Sequence, residues 1–220
     1  MDNDCFERLI KLRCTEYREQ MDLLKSYLEQ AMETETIHLV IMGKDPFPTD
    51  STGIPFCKPD WKKQKKGKGA GYYVLRSVCG EDVFEEEWQK KQYDEPQKLF
   101  EALGREGLVF LNASYVLLEG KNQRQLLEAS FEINEFFLRC AEHVVICGKK
   151  AETLYSYNKE KYGVKKSWQH VVHPCGMSKG NKKENSRGKE IGKEWQEWWG
   201  TGGAIKKKFK LDIVLNKLLA

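Results

Sequence analysis

The sequence predicts an α/β fold: a three-layer αβα sandwich around a central, mostly parallel four-stranded sheet. Three observations lead there. Short strand-like runs occur at 37–42, 107–112, 143–148 and 168–176, each closed by Gly, Asn or a His-Pro pair. Segments with helical spacing and many charges separate them, at 95–104, 124–141, 149–157 and 189–199, and such alternation argues for parallel strands under covering helices. The runs around Val40 and Val109 are apolar throughout rather than alternating, as strands covered on both faces are.

Each element follows from its residues. At 4–32, Phe6, Leu9, Ile10, Tyr17, Met21, Leu24 and Leu28 recur near helical spacing among Glu, Lys, Arg and Gln, which predicts a helical scaffold. The first strand, 37–42, ends at Gly43, and Pro46 and Pro48 forbid its continuation. Asp45 therefore stands at a strand exit, where open α/β sheets bind ligands; an ordinary turn would use the same residues. Phe56 follows Pro55 in a turn-rich stretch and suits either the core or a stacking platform. The Gly- and Lys-rich segment 62–71 reads as a flexible loop, and 72–79 as a helix or a short strand. Pro96 near the start and Gly104 near the end bound the helix at 95–104. The tail, 204–219, alternates basic and apolar residues, as a docking helix or strand would.

Composition narrows the function classes. The chain has 220 residues, 40% hydrophobic and 32% charged, enough for one sizeable core. No apolar run approaches the roughly 18 residues of a membrane span. The start, Met-Asp-Asn-Asp, lacks a basic-then-apolar leader, so a cytoplasmic or nucleoid-associated protein away from membranes is expected, and a monomer. The net charge is only +4, but lysines cluster: Lys62, Lys63, Lys65 and Lys66 in one run, Lys179, Lys182 and Lys183 in a second, and Lys206, Lys207, Lys208 and Lys210 in a third. Such runs suit solvated loops or a polyanion partner. The seven cysteines form no C-x-x-C pair, which speaks for inert thiols rather than zinc or an iron–sulfur cluster. Gly43-Lys44-Asp45-Pro46 makes a poor glycine-rich phosphate loop. His38, His143 and His170 flank strands as edge or core residues, and Trp195, Trp198 and Trp199 read as helix packing.

Asp45, Asn112 and His173 each stand at a strand exit, and parallel strands share one carboxyl edge, so the three can converge. A carboxylate can face a developing cation. An amide offers donors and acceptors in one plane, and an imidazole can donate to a leaving oxygen.

With those residues in view, the chain resembles the uracil-DNA glycosylase superfamily. Gly43-Lys44-Asp45-Pro46-Phe47-Pro48 resembles its GQDPYH water-activating motif, 108–113 its LLLN motif, and His173-Pro174-Cys175-Gly176-Met177-Ser178 its HPSPLS motif. Phe56 matches the family's base-stacking Phe. The order and approximate spacing hold over 37–199, which the resemblance makes the catalytic core, with 1–36 as scaffold and 200–220 as a basic tail of the same domain.

The resemblance implies a metal- and cofactor-independent DNA glycosylase acting in repair or antiviral defence. Asp45 would position water and stabilise the sugar cation, Phe56 would stack on the flipped base, Asn112 would read its edge, and His173 would bond the pyrimidine 2-oxygen. Lys44 and Phe47 would also meet the base. Met177 would fill the gap left in the duplex; Ser178, Lys179, Lys182 and Lys183, with Lys62, Lys63, Lys65 and Lys66, would hold DNA. Lys44, Phe47 and Pro48 replace Gln, Tyr and His of the family motif, and Cys175 removes a phosphate-binding hydroxyl. The substrate base is then uracil or a pyrimidine enlarged at its 5-position, such as hydroxymethylated or glucosylated cytosine of phage DNA. The alternative is a non-catalytic DNA- or protein-binding member of the fold.

Overall fold

A computed structural model describes residues 3–13, 17–118, 122–162, 168–175 and 186–219. In chain order the elements are α1 (Asn3–Arg13), α2 (Arg18–Met32), β1 (Leu39–Gly43), α3 (Trp61–Lys65), α4 (Ala70–Cys79), α5 (Glu86–Gln92), α6 (Pro96–Arg105), β2 (Leu108–Asn112), α7 (Gln123–Cys140), β3 (His143–Cys147), α8 (Lys149–Tyr162), β4 (Gln169–Val171), α9 (Ser186–Trp195), α10 (Ala204–Lys208) and α11 (Asp212–Leu219). The four strands form one all-parallel sheet in the order β2-β1-β3-β4. Every residue of β1 and β2 is buried, so helices cover both faces, and the three-layer architecture follows. Among the described residues no helix is long and apolar enough to cross a membrane.

Register brings the strand ends level. Gly43 pairs with Asn112, Met42 with both Leu111 and Ile146, and Cys147 with Val171. Beyond β1 the ladder persists briefly: Ala113 N donates to Gly43 O (2.9 Å) and Ser114 N to Lys44 O (2.9 Å). The buried residues form one contiguous core. Within it, the Tyr27 hydroxyl of α2 accepts from Phe110 N of β2 at 2.8 Å, tying the N-terminal scaffold to the sheet.

Several expectations need correction. The predicted flexible loop at 62–71 is α3, a 3₁₀ turn and the start of α4. Asp60 caps α3 by accepting from Lys63 N at 2.7 Å, and Trp61 and Gln64 point inward. Segment 72–79 is helix, burying Tyr73, Val74, Leu75 and Val78. The N-terminal scaffold is two helices rather than one. The fourth strand is only three residues long: Pro174 has no N–H for a ladder, and side chains of α9 and the helical turn after it take over the bonding. Trp199 Nε1 donates to Val172 O (2.8 Å), Trp195 Nε1 donates to Pro174 O (2.8 Å), and Val172 N donates to Glu194 Oε1 (2.9 Å). The tryptophans pack as expected, all three buried. The tail is helical, as α10 and α11.

Candidate functional site at the carboxyl edge of the sheet

Asp45, Asn112 and His173 share one cavity. With Lys44, Phe47 and Phe56 they line one open cavity of about 560 Å³ at the carboxyl edge of the sheet. That volume falls within the range of small-molecule sites and exceeds what a single pyrimidine ring fills.

Its floor is the β1–β2 junction. Asn112 is 3% exposed, and its carboxamide opens into the cavity with no hydrogen-bond partner among the described residues. An amide open to the cavity in this way leaves its donors and acceptor available to a ligand. Its backbone is fixed: Asn112 O accepts from Asn134 Nδ2 at 2.8 Å, and Asn134 Oδ1 in turn accepts from the Tyr115 hydroxyl. Gly43 is required beside it. A Cβ at Gly43 would lie 2.7 Å from Asn112 Oδ1 and 3.0 Å from Phe56 Cζ, so the amide and the ring meet over a residue that has no side chain.

Two aromatic rings make the walls. Phe56 adopts a left-handed backbone, φ 66°, which a bulky residue rarely does without outside support. Its ring lies edge-on to Phe110, centroids 6.4 Å apart. The second ring, Phe47, carries Lys58 Nζ above it at 3.8 Å. Lys58 Nζ also donates to Thr49 O (2.6 Å), and burial holds its ammonium below the ordinary lysine value.

The acid is not alone. Lys44 Nζ lies 2.6 Å from Asp45 Oδ2, and the two side chains are 35% and 19% exposed. Lys44, expected to meet the base, lines the cavity and also pairs with the neighbouring carboxylate.

On the far rim, Gly148 has φ +87°, and a Cβ there would lie 3.1 Å from His173 Cβ, so glycine lets the His173 segment cross β3's exit closely. Cys175 N donates to His173 Nδ1 at 3.2 Å, which places the proton of the neutral ring on Nε2. Lys149 and Lys150, at the head of α8, also line the cavity and have no ion-pair partner among the described residues. Sequence reasoning missed these two lysines; their position directly after a strand-closing glycine was the available signal. It also missed Gln64, Lys58, Glu194 and the bonding role of the tryptophans.

The remaining predicted positions divide. Lys62, Lys63, Lys65 and Lys66 do not line the cavity; they sit on or just beyond α3, which leads toward Ala70 at the cavity wall. Lys62 and Lys66 are exposed, while Lys63 pairs with Asp50 (2.8 Å), drawing that carboxyl below its ordinary value. Met177, Ser178, Lys179, Lys182 and Lys183 lie outside the described residues. Among the described residues no three His, Cys, Asp or Glu side chains gather as a metal site. A second cavity of about 520 Å³ lies among residues at the opposite sheet edge, where His38 Nδ1 is 2.9 Å from Glu142 Oε2. Compared with known proteins, the chain matches no family model and no curated protein.

Proposed function

We propose that the protein is a DNA glycosylase that everts a pyrimidine nucleotide and hydrolyses its N-glycosidic bond. One observation carries the reading. Asp45, Phe56, Asn112 and His173, drawn from four separate segments, line a single cavity whose Asn112 amide has no hydrogen-bond partner among the described residues.

The chemistry follows from the arrangement. A base in a duplex must leave the stack before a side chain can reach its sugar bond, at a cost of about a few kcal/mol. The everted ring would lie against Phe56, with its edge on Asn112. As the C1′–N1 bond breaks, its electron pair stays with the base and the sugar becomes an oxocarbenium ion. Asp45 faces that cation and orients water onto C1′; as the new C–O bond forms the carboxylate takes the water's proton, and the departing base anion is protonated from solvent. The Nε2–H of His173 donates to the 2-oxygen, where negative charge grows. Lys44 holds one carboxylate oxygen, so Oδ1 is the atom for the water. Lys62, Lys66, Lys149 and Lys150 supply positive charge for the phosphates.

The Lys44–Asp45 pair favours one other reading, a non-catalytic DNA-binding module whose acid is already neutralised. Base release from oligonucleotides carrying uracil, hydroxymethyluracil, hydroxymethylcytosine or glucosylated cytosine separates the two. Release abolished by Asp45→Asn and Asn112→Ala in folded protein is the expected result. Tight DNA binding with no release from any of these substrates means the module.

A further inference from the structure

Phe56 and Phe47 come from different turns of the chain, yet one buried side chain reaches the supports of both. Gln64 of α3 is 2% exposed. Its Nε2 donates to Phe56 O (3.2 Å) and its Oε1 accepts from Lys58 N (2.7 Å). Between them Cys57 is fully buried, with its N–H on Ile54 O (3.2 Å). Residues 56–58 are thus clamped by a single amide. The clamp explains how Phe56 keeps its left-handed backbone, since such strain persists only where the surroundings over-determine it. It also fixes the backbone of Lys58, whose ammonium rests on the Phe47 ring. The fit is close: a Cβ on Gly71 would fall 1.9 Å from Phe56 O and 2.4 Å from Gln64 Nε2.

We propose that Gln64 is a positioning residue for base recognition, setting both aromatic walls of the cavity through Phe56 O and Lys58 N. The proposal rests on the base-everting reading and deepens it. Gln64 itself touches no substrate. Its effect is therefore confined to ligands that present a base to the walls. A strand contacting only the phosphate-binding surface should not sense it.

Affinity measurements on paired probes test this. One set of strands carries arabino-configured, 2′-fluorinated uracil or hydroxymethylcytosine nucleotides, whose fluorine resists glycosidic cleavage. The other carries a tetrahydrofuran residue with no base. Gln64→Met removes both bonds, and Gln64→Glu keeps the acceptor for Lys58 N while losing the donor to Phe56 O. The expected result is that Gln64→Met binds the base-bearing strands about tenfold more weakly and the baseless strand within about twofold of wild type, with Gln64→Glu between. Equal weakening on both probes marks general unfolding and overturns the proposal, as does unchanged affinity for both. If wild type itself fails to prefer a base-bearing strand, base eversion fails and takes the proposal with it. If wild type discriminates and the variants discriminate equally well, only the role of Gln64 is lost.

Discussion

Gly43→Ala offers a sharp test of the site, because the structure gives the size of the disturbance. The added Cβ would lie 2.7 Å from Asn112 Oδ1 and 3.0 Å from Phe56 Cζ, where ordinary contact begins at 3.4 Å. The amide must therefore retreat by about 0.7 Å and the ring by about 0.4 Å, with rigid strands beneath both. A misplacement of about 1 Å in a reacting geometry costs on the order of a hundredfold. The expected loss in kcat/KM is therefore about ten- to a hundredfold, equivalent to about 1.4–2.7 kcal/mol of transition-state stabilisation. Overpacking should lower stability by about 1–3 kcal/mol, leaving the protein folded at room temperature. Single-turnover base release, with a thermal melt on the same sample, measures both. Release within about twofold of wild type from a folded variant would refute the claim that amide and ring act on the base together.

Three further outcomes are expected. Tyr27→Phe removes the acceptor for the buried Phe110 N–H, so stability should fall by about 1–3 kcal/mol in urea unfolding, with turnover per folded molecule unchanged. Trp199→Phe removes the donor to Val172 O beside His173, so kcat should fall several-fold with KM nearly constant, because that imidazole acts as charge develops. Alkali should destabilise the fold. Burial pushes the Cys57 thiol from its usual 9.0 up to about 12, so its contribution is complete below about pH 9 and is lost as pH rises toward 12. Denaturation midpoints at pH 8 and pH 10.5 read the difference, and equal midpoints would contradict it.

Much of the sheet was legible because buried parallel strands leave short, unbroken apolar runs. Asp45, Asn112 and His173 could be grouped from their places at strand exits alone. The fourth strand was overextended because Trp168 to Val172 looks strand-like; only the structure shows indoles and Glu194 replacing the ladder around Pro174. The lysine-rich stretch hid a helix. Its charge masked the spacing of Trp61 and Gln64, and Asp60 as a cap was the overlooked sign. Contacts between neighbours along the chain were also hidden: Lys44, which lines the cavity as expected of a group for the substrate, reaches the adjacent carboxylate as well. No pattern in sequence reveals that one glutamine spans residues 56 and 58, since that depends on how the turn closes.

The imidazole at 173 hangs between two backbone groups moored to an indole-bearing segment more than twenty positions downstream. Its station is thus governed from outside the cleft. Substitutions in that distant anchorage can nudge the ring by fractions of an ångström while every residue facing the ligand stays the same. Selection for a new leaving group therefore has a coarse route, through the cavity lining, and a fine one, through packing that no substrate ever meets.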